Sequence, residues 1–453
     1  MSEIPPPNRY PVKIDLVQKP MGMLASLQAA RRNVLTILPW IAVKQPMVSG
    51  RTGIRWHMVM DPDAIRRMLL EKLDDYPKSN TTKSLLRPAI GESLFIAEGA
   101  HWRWQRRAAA PVFSHRNVLN LAPVMTRAAE ATCARIAEQK GRAVNLYSEM
   151  VRATFDVTTD VTFSGEGDFD SASVHKAIDA YISEAGKMSL FDMLGLPGWI
   201  PRPGRLFSGP AVKDMRQIAD DSISARKSAG PGEIPDLLDL LLAGEDPETK
   251  RAMNTAELRD NLLTFIVAGH ETTALALSWA LYLCAFDTRV QDKARAEAQA
   301  VLSGPATGTD VANLPYIRAI IDEALRLYPP AALVSRTAQT RDSLCGREVK
   351  PGDTVMIPIY ALHRHEMLWD DPDAFRPERF VENKPDRYAY LPFGDGPRIC
   401  IGASFALQEA VIILATLLAR FKFTAIPGKD PDPVMILTLR PEGGVWLEVE
   451  EAK

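Results

Sequence analysis

Apolar residues along most of this chain recur three and four positions apart, the spacing that puts side chains on one face of a helix. The pattern covers residues 101–110, 117–139, 148–163, 172–187, 211–228, 235–243, 255–285, 288–302 and 312–328. In the longest stretch, Asn254 to Ala285, the second half is nearly all apolar, which predicts a helix crossing the core. Another apolar run, Ala403 to Leu418, predicts a second buried helix. Alternation is rarer. It predicts a strand pair over 51–60, then a helix from Asp61-Pro62-Asp63 to about Leu70. Short strands are expected around 333–339, 347–349 and 353–357, and the tail Val434 to Val449 reads as a hairpin turning at Pro441-Glu442-Gly443-Gly444.

Three stretches break the helical pattern. Residues 77–99 have no sustained period and carry Gly91 and Gly99, so they read as a long loop of the kind often used for binding. Met188 to Pro210 mixes glycines and prolines with Leu190, Phe191, Met193, Leu194, Leu196, Trp199, Ile200 and Phe207. That segment is either a lid over an apolar entrance or a packed connector between helices. A proline-rich meander fills 366–392. The fold class is therefore mainly α with a small β region. We expect a single domain over 1–453: a tail at 1–20, a helix-rich core at 100–330 and 400–420, and β-rich parts near 51–60, 333–357 and 434–449.

Composition changes this picture little but excludes some functions. Hydrophobic residues make up 46% and charged residues 24% of the 453, enough for a large core. A net charge of −2 gives no general attraction to nucleic acid or acidic lipid, and no basic run interleaves with aromatics. Cys133, Cys284, Cys345 and Cys400 have neither disulfide-framework nor metal-site spacing, which favours a reducing compartment. The first three read as small buried hydrophobes. Met1 to Tyr10 is polar, without a signal pattern, and Val34 to Val43 is too short to span a bilayer and reads as a buried or amphipathic helix. The expectation is a cytoplasmic protein without a membrane anchor.

Candidate chemistry concentrates in Phe393-Gly394-Asp395-Gly396-Pro397-Arg398-Ile399-Cys400-Ile401-Gly402. Its glycines permit positive φ and close approach, and the amides of the turn and following helix can stabilise a thiolate. Arg398 can neutralise an acidic group on a bound cofactor. The long helix carries Ala268-Gly269-His270-Glu271-Thr272-Thr273, polar residues that need partners in an apolar setting. Thr272 lies one turn after Ala268, so its hydroxyl can compete for that carbonyl and distort the helix. The site is either a groove for oxygen and water, with Glu271 and Thr272 supplying protons, or a kinked core helix whose polar groups are merely satisfied. His270 reads as structural.

The order Phe-x-x-Gly-x-Arg-x-Cys-x-Gly resembles the haem-binding loop of the cytochrome P450 monooxygenases, and the segment around Thr272 resembles their oxygen-activating helix. The resemblance implies the cytochrome P450 fold, with a long central helix over haem b (iron protoporphyrin IX), and Cys400 as axial ligand of the haem iron on the other face. It implies O2 as co-substrate and hydroxylation of a C–H bond. Cofactor contacts are expected from Trp102, Arg106, Ala268, Gly269, Arg336, Phe393, Arg398, Cys400 and Gly402, with Trp102 preferred to His101 for the propionates. Glu323 and Arg326, with Arg379 of Phe375-Arg376-Pro377-Glu378-Arg379-Phe380, resemble the family's buried ionic knot. Expected substrate contacts are Leu94, Phe95, Val267, Ala268, Leu333, Val334, Leu437 and Thr438.

The chain contains no Gly-x-Gly-x-x-Gly, so electrons are expected from a separate donor, a ferredoxin with its NAD(P)H-dependent reductase. Arg103, Arg107, His115 and Arg116 form either its docking patch or a solvated helix face. The stretches His363 to Phe380 and Leu439 to Gly443 resemble the fatty-acid-hydroxylating branch, so a fatty acid joins terpenoids, steroids and aromatic compounds as candidate lipophilic substrates. A peroxide-driven peroxygenase and a haem sensor or electron carrier are the rival functions.

Overall fold

The computed structural model describes residues 10–19, 21–163, 209–232 and 235–452. The helix expected at 172–187 and the connector expected from Met188 to Pro210 lie outside these, except that Gly209 and Pro210 open the helix Gly209–Ala229. Helices dominate the rest, built around the central helix Thr255–Phe286. It opens with a capping box: the Asn254 side chain takes the Glu257 amide, and Glu257 takes the Asn254 amide. From Ala274 to Ala285 every residue is buried, so the apolar half does cross the core. Around it pack the helices Leu146–Phe163, Gly209–Ala229, Pro315–Leu327 and Ala403–Arg420. Among the described residues only Ala403–Arg420 is long and apolar enough to cross a membrane; here Gln408 to Leu418 are buried inside the protein.

A four-stranded sheet has the order β1 (Met47–Thr52), β2 (Ile54–Val59), β7 (Thr354–Ile357), β4 (Val334–Thr337). β2 and β7 are parallel and the outer pairs antiparallel. β5 (Asp342–Leu344) and β6 (Arg347–Val349) form a hairpin. β9 (Asp432–Met435) pairs with β10 (Leu439–Glu442), while β11 (Trp446–Glu451) lies between β3 (Ala143–Asn145) and β8 (Phe421–Ala425).

Several expectations need correction. Residues 77–99 are not one long loop: Asn80–Ile90 is a helix, started by Ser79, whose hydroxyl takes the Thr82 amide. Pro88 and the polar run Asn80 to Ser84 hide its period, yet Leu86, Ala89 and Ile90 form a buried face. The tail turns earlier than Pro441: β9 and β10 make the hairpin, and Gly443 and Gly444, at φ 80° and 88°, carry the chain across to another sheet. A Cβ at Gly444 would strike the Asn145 side chain, so glycine is required there. Val34–Ile37 and Trp40–Val43 are two 3-10 turns split by Pro39, not one helix. The pattern at 117–139 covers two helices, His115–Asn120 and Ala122–Glu138, divided at Leu121 ahead of Pro123. Cys345 is exposed, at φ 49° beside Gly346 in the β5–β6 turn, and so departs from the buried cysteine expected; Cys133 and Cys284 are buried.

Candidate active site

The cysteine loop is held shut by the Cys400 amide, which donates to the Phe393 carbonyl at 2.9 Å. Gly394 and Gly396 have φ of 68° and 72°, and a Cβ on Gly396 would run into the Leu69 carbonyl, so that turn needs glycine. The Asp395 carboxylate is fixed by Arg387 at 2.6 and 2.8 Å. The Cys400 side chain is exposed toward a cavity while protein encloses its other sides. Burial pushes its thiol up; the Gly402 amide and the charges of Arg106 and Lys78 oppose this.

The central helix supplies another wall. Thr272 donates its hydroxyl to the Ala268 carbonyl at 2.8 Å, while the helix itself continues unbroken through this turn. Ala268 is exposed to the cavity in mid-helix, and a Cβ on Gly269 would meet only the Thr158 hydroxyl, at 3.7 Å. Glu271 is buried and ion-paired with Arg440 of β10. His270 points away: its Nδ1 bonds the Ile266 carbonyl at 2.9 Å and its ring meets Phe155 edge to face.

At the cavity's edge stand Trp102 and Arg106 of the helix Gly99–Ala109, Arg336 of β4 and Arg398. The Arg398 guanidinium lies 4.4 Å over the Trp102 ring and donates to the Ala97 carbonyl at 2.9 Å. Arg336 is buried, its Nε has no partner among the described residues, and burial lowers it to about 10. Burial also lowers Arg106, against the pull of Cys400. His101 faces elsewhere, bonding Gln105 at 2.6 Å, so Trp102 is the one that reaches the cavity.

These residues line one cavity of about 1180 Å³, together with Phe393, Gly402, Val267, Leu94, Phe95, Leu333, Val334, Leu437 and Thr438. Glu323, Arg326 and Arg379 lie behind it. Arg326 forks onto Glu323 at 2.7 and 2.8 Å, Arg379 adds a bond at 3.1 Å, and Glu323 and Arg326 are fully buried. Arg326 also donates to the carbonyls of His363, Pro372 and Ala374. His363 in turn accepts the Leu391 amide at 2.9 Å, linking this cluster to the approach of the cysteine loop. Of the basic segment, Arg103 is bound to Asp74 and Arg107 to the buried Asp246, while His115 and Arg116 are exposed.

Three residues escaped the sequence reading. Lys78 lines the cavity with Nζ 3.5 Å above the Phe95 ring; Glu98 pairs with Arg398; Arg440 pairs with Glu271. Lys78 and Glu98 sat inside the supposed loop, and Arg440 beside the misplaced turn. The cluster of cations at this edge and the unpartnered Nε of the buried Arg336 call for an anion, because isolated buried charge is costly. Haem fits: its two carboxylates would answer the cations, the wall bare at Gly269 would leave it room, and the Cys400 thiol is a donor its iron could take.

The cytochrome P450 family model matches residues 5–448. The chain is 32% identical over 434 residues to cyclooctatin synthase of Streptomyces melanosporofaciens, covering 94% of this chain and 91% of that one. It is 31% identical over 414 residues to cyclooctat-9-en-7-ol 5-monooxygenase of the same organism, covering 90% and 88%. The solved cytochrome P450DA heme domain superposes with a TM-score of 0.81 at 27% identity, covering 95% of this chain and 93% of that one. A match over nearly the whole length, joined to a lone cavity-facing thiol beneath a bare stretch of helix, leads to one conclusion: the chain belongs to the cytochrome P450 family, as a monooxygenase that uses haem b with O2 as co-substrate.

Proposed function

We propose that this monooxygenase hydroxylates a C–H bond of a lipophilic molecule held among Leu94, Phe95, Val267, Ala268, Leu333, Val334, Leu437 and Thr438. The observation that carries the reading is that the Cys400 thiol and the Thr272 hydroxyl border the same mainly apolar cavity. When bound, the haem uses two electrons and two protons to insert one atom of O2 into the substrate and release the other as water. Cys400 would hold the iron as a thiolate, the ligand that in this family supplies electron density for O–O cleavage. Trp102, Arg106, Arg336 and Arg398 hold the acidic groups, and Ala268 and Gly269 leave room beside the reacting face. Thr272 keeps a proton at Oγ1 within the cavity, and Glu271, held as a carboxylate by Arg440, takes a proton from water and passes it to that hydroxyl. Glu323, Arg326 and Arg379 brace the chain leading to Cys400.

Electrons come from a ferredoxin and its NAD(P)H-dependent reductase, in the cytoplasm; His115 and Arg116 remain to steer an acidic donor. The names of the two Streptomyces relatives favour a cyclic terpenoid-like alcohol or hydrocarbon. The likeness of Leu439 to Gly443 to the fatty-acid-hydroxylating branch favours a long acyl chain as the second reading. Titrating purified protein with both classes separates them, because a substrate entering such a pocket shifts the haem spin state. A terpenoid that shifts the spectrum and is hydroxylated with reduced ferredoxin supports the first reading. Turnover with hydrogen peroxide alone would instead indicate a peroxygenase, and no shift with any lipophile would indicate a sensor or carrier.

A further inference from the structure

We infer that Glu98, which joins the cysteine loop to the cationic edge of the cavity, is a positioning residue that sets the charge felt by the haem. The inference rests on the haem-thiolate reading above. Glu98 precedes the helix Gly99–Ala109 but does not cap it with its side chain. Its carboxylate turns instead to two separate segments, the cysteine loop and residues 78–83. Oε2 pairs with Arg398, two residues before Cys400. Oε1 accepts the Lys78 amide at 2.9 Å and lies 3.3 Å from the Lys83 ammonium.

Lys78 is itself fixed beside Arg336: the two residues form an antiparallel bridge, flanked by Ser79 N–H to Ser335 C=O at 3.2 Å and Thr337 N–H to Pro77 C=O at 3.0 Å. Glu98 is the one carboxylate whose charge reaches Lys78, Arg336 and Arg398 alike. Lys83, Arg336 and Arg398 outnumber this one anion even though burial pushes the Lys78 ammonium well below its ordinary value, so the edge stays positive and would suit the acidic groups of haem. A charge paired to the loop that carries Cys400 would enter the potential of a haem bound there, since hydrogen bonding and local charge around the cofactor are among the protein's means of tuning it. Removing the Glu98 charge favours the more negative, reduced state; removing a cation such as Lys83 favours the oxidised state.

The test is a spectroelectrochemical titration of the haem-loaded protein with Glu98→Gln, Glu98→Asp and Lys83→Met. Glu98→Gln keeps an oxygen to accept the Lys78 amide, so it removes charge while preserving shape. The expected result is a positive shift of the midpoint potential in Glu98→Gln, a negative shift in Lys83→Met, and a value near wild type in Glu98→Asp. Both shifts should shrink as salt is raised, because Glu98 is partly open to solvent. An unmoved potential in Glu98→Gln, or shifts of the same sign in Glu98→Gln and Lys83→Met, overturns the inference and leaves Glu98 a mere strut. The carbon monoxide spectrum of the same samples checks thiolate ligation independently. A variant with an intact thiolate band and an unmoved potential therefore counts against Glu98 alone.

Discussion

Thr272 donates a hydrogen bond to the Ala268 carbonyl, and its place on the cavity wall makes a definite prediction. Thr272→Ala should keep the haem and bind substrate, yet divert electrons from hydroxylated product into hydrogen peroxide several-fold more than wild type. Peroxide formed per NAD(P)H consumed measures this, and unchanged coupling would remove Thr272 from the proton route. Much at this scale could be read from residue order alone. Cys400, Arg398 and Thr272 stand in fixed spacings because the loop and the helix turn are local objects. Glu98, Lys78 and Arg440 could not be read so, because each acts on a partner far along the chain: Arg398, the cavity and Glu271.

Among the elements, the Glu323–Arg326–Arg379 cluster ties the helix Pro315–Leu327 to the meander. Glu323 also accepts the Arg376 amide at 2.9 Å. Glu323→Gln leaves two buried guanidiniums without a counter-charge and should cost about 3–5 kcal/mol in denaturant unfolding, the scale for breaking a buried pair. A loss under about 1 kcal/mol, typical of exposed pairs, would show that the cluster bears no load.

His363 links the same cluster to Leu391 and makes a pH prediction. Burial, then the charge of Arg326, lower it from 6.5 to about 3. Between those values the unfolded chain binds a proton that the folded chain refuses, so stability is complete above 6.5 and falls as acid is added. Between about pH 7.5 and about pH 5, wild type should lose about 2 kcal/mol more than His363→Gln, from 1.4 kcal/mol per pH unit below 6.5. Parallel pH profiles would contradict it. At this scale periodicity located the long helices but missed Asn80–Ile90, where Pro88 interrupts the pattern. It also joined β10 to β11, whose true partners, β3 and β8, are set by tertiary packing.

For the molecule as a whole, the mainly helical fold followed from the dominance of helical spacing, and the family from two short motifs. The cavity did not follow, because its walls come from segments as far apart as Trp40 and Thr438. Its apolar lining accounts for a lipophilic substrate, and its surplus of positive charge for an acidic cofactor. The proposed function depends on ligation of the haem iron by Cys400. The most direct test is the spectrum of reduced, haem-loaded protein under carbon monoxide. The account predicts the red-shifted Soret band of thiolate coordination, and its loss in Cys400→Ala. Absence of that band from the wild-type protein, or its survival in Cys400→Ala, would contradict the account.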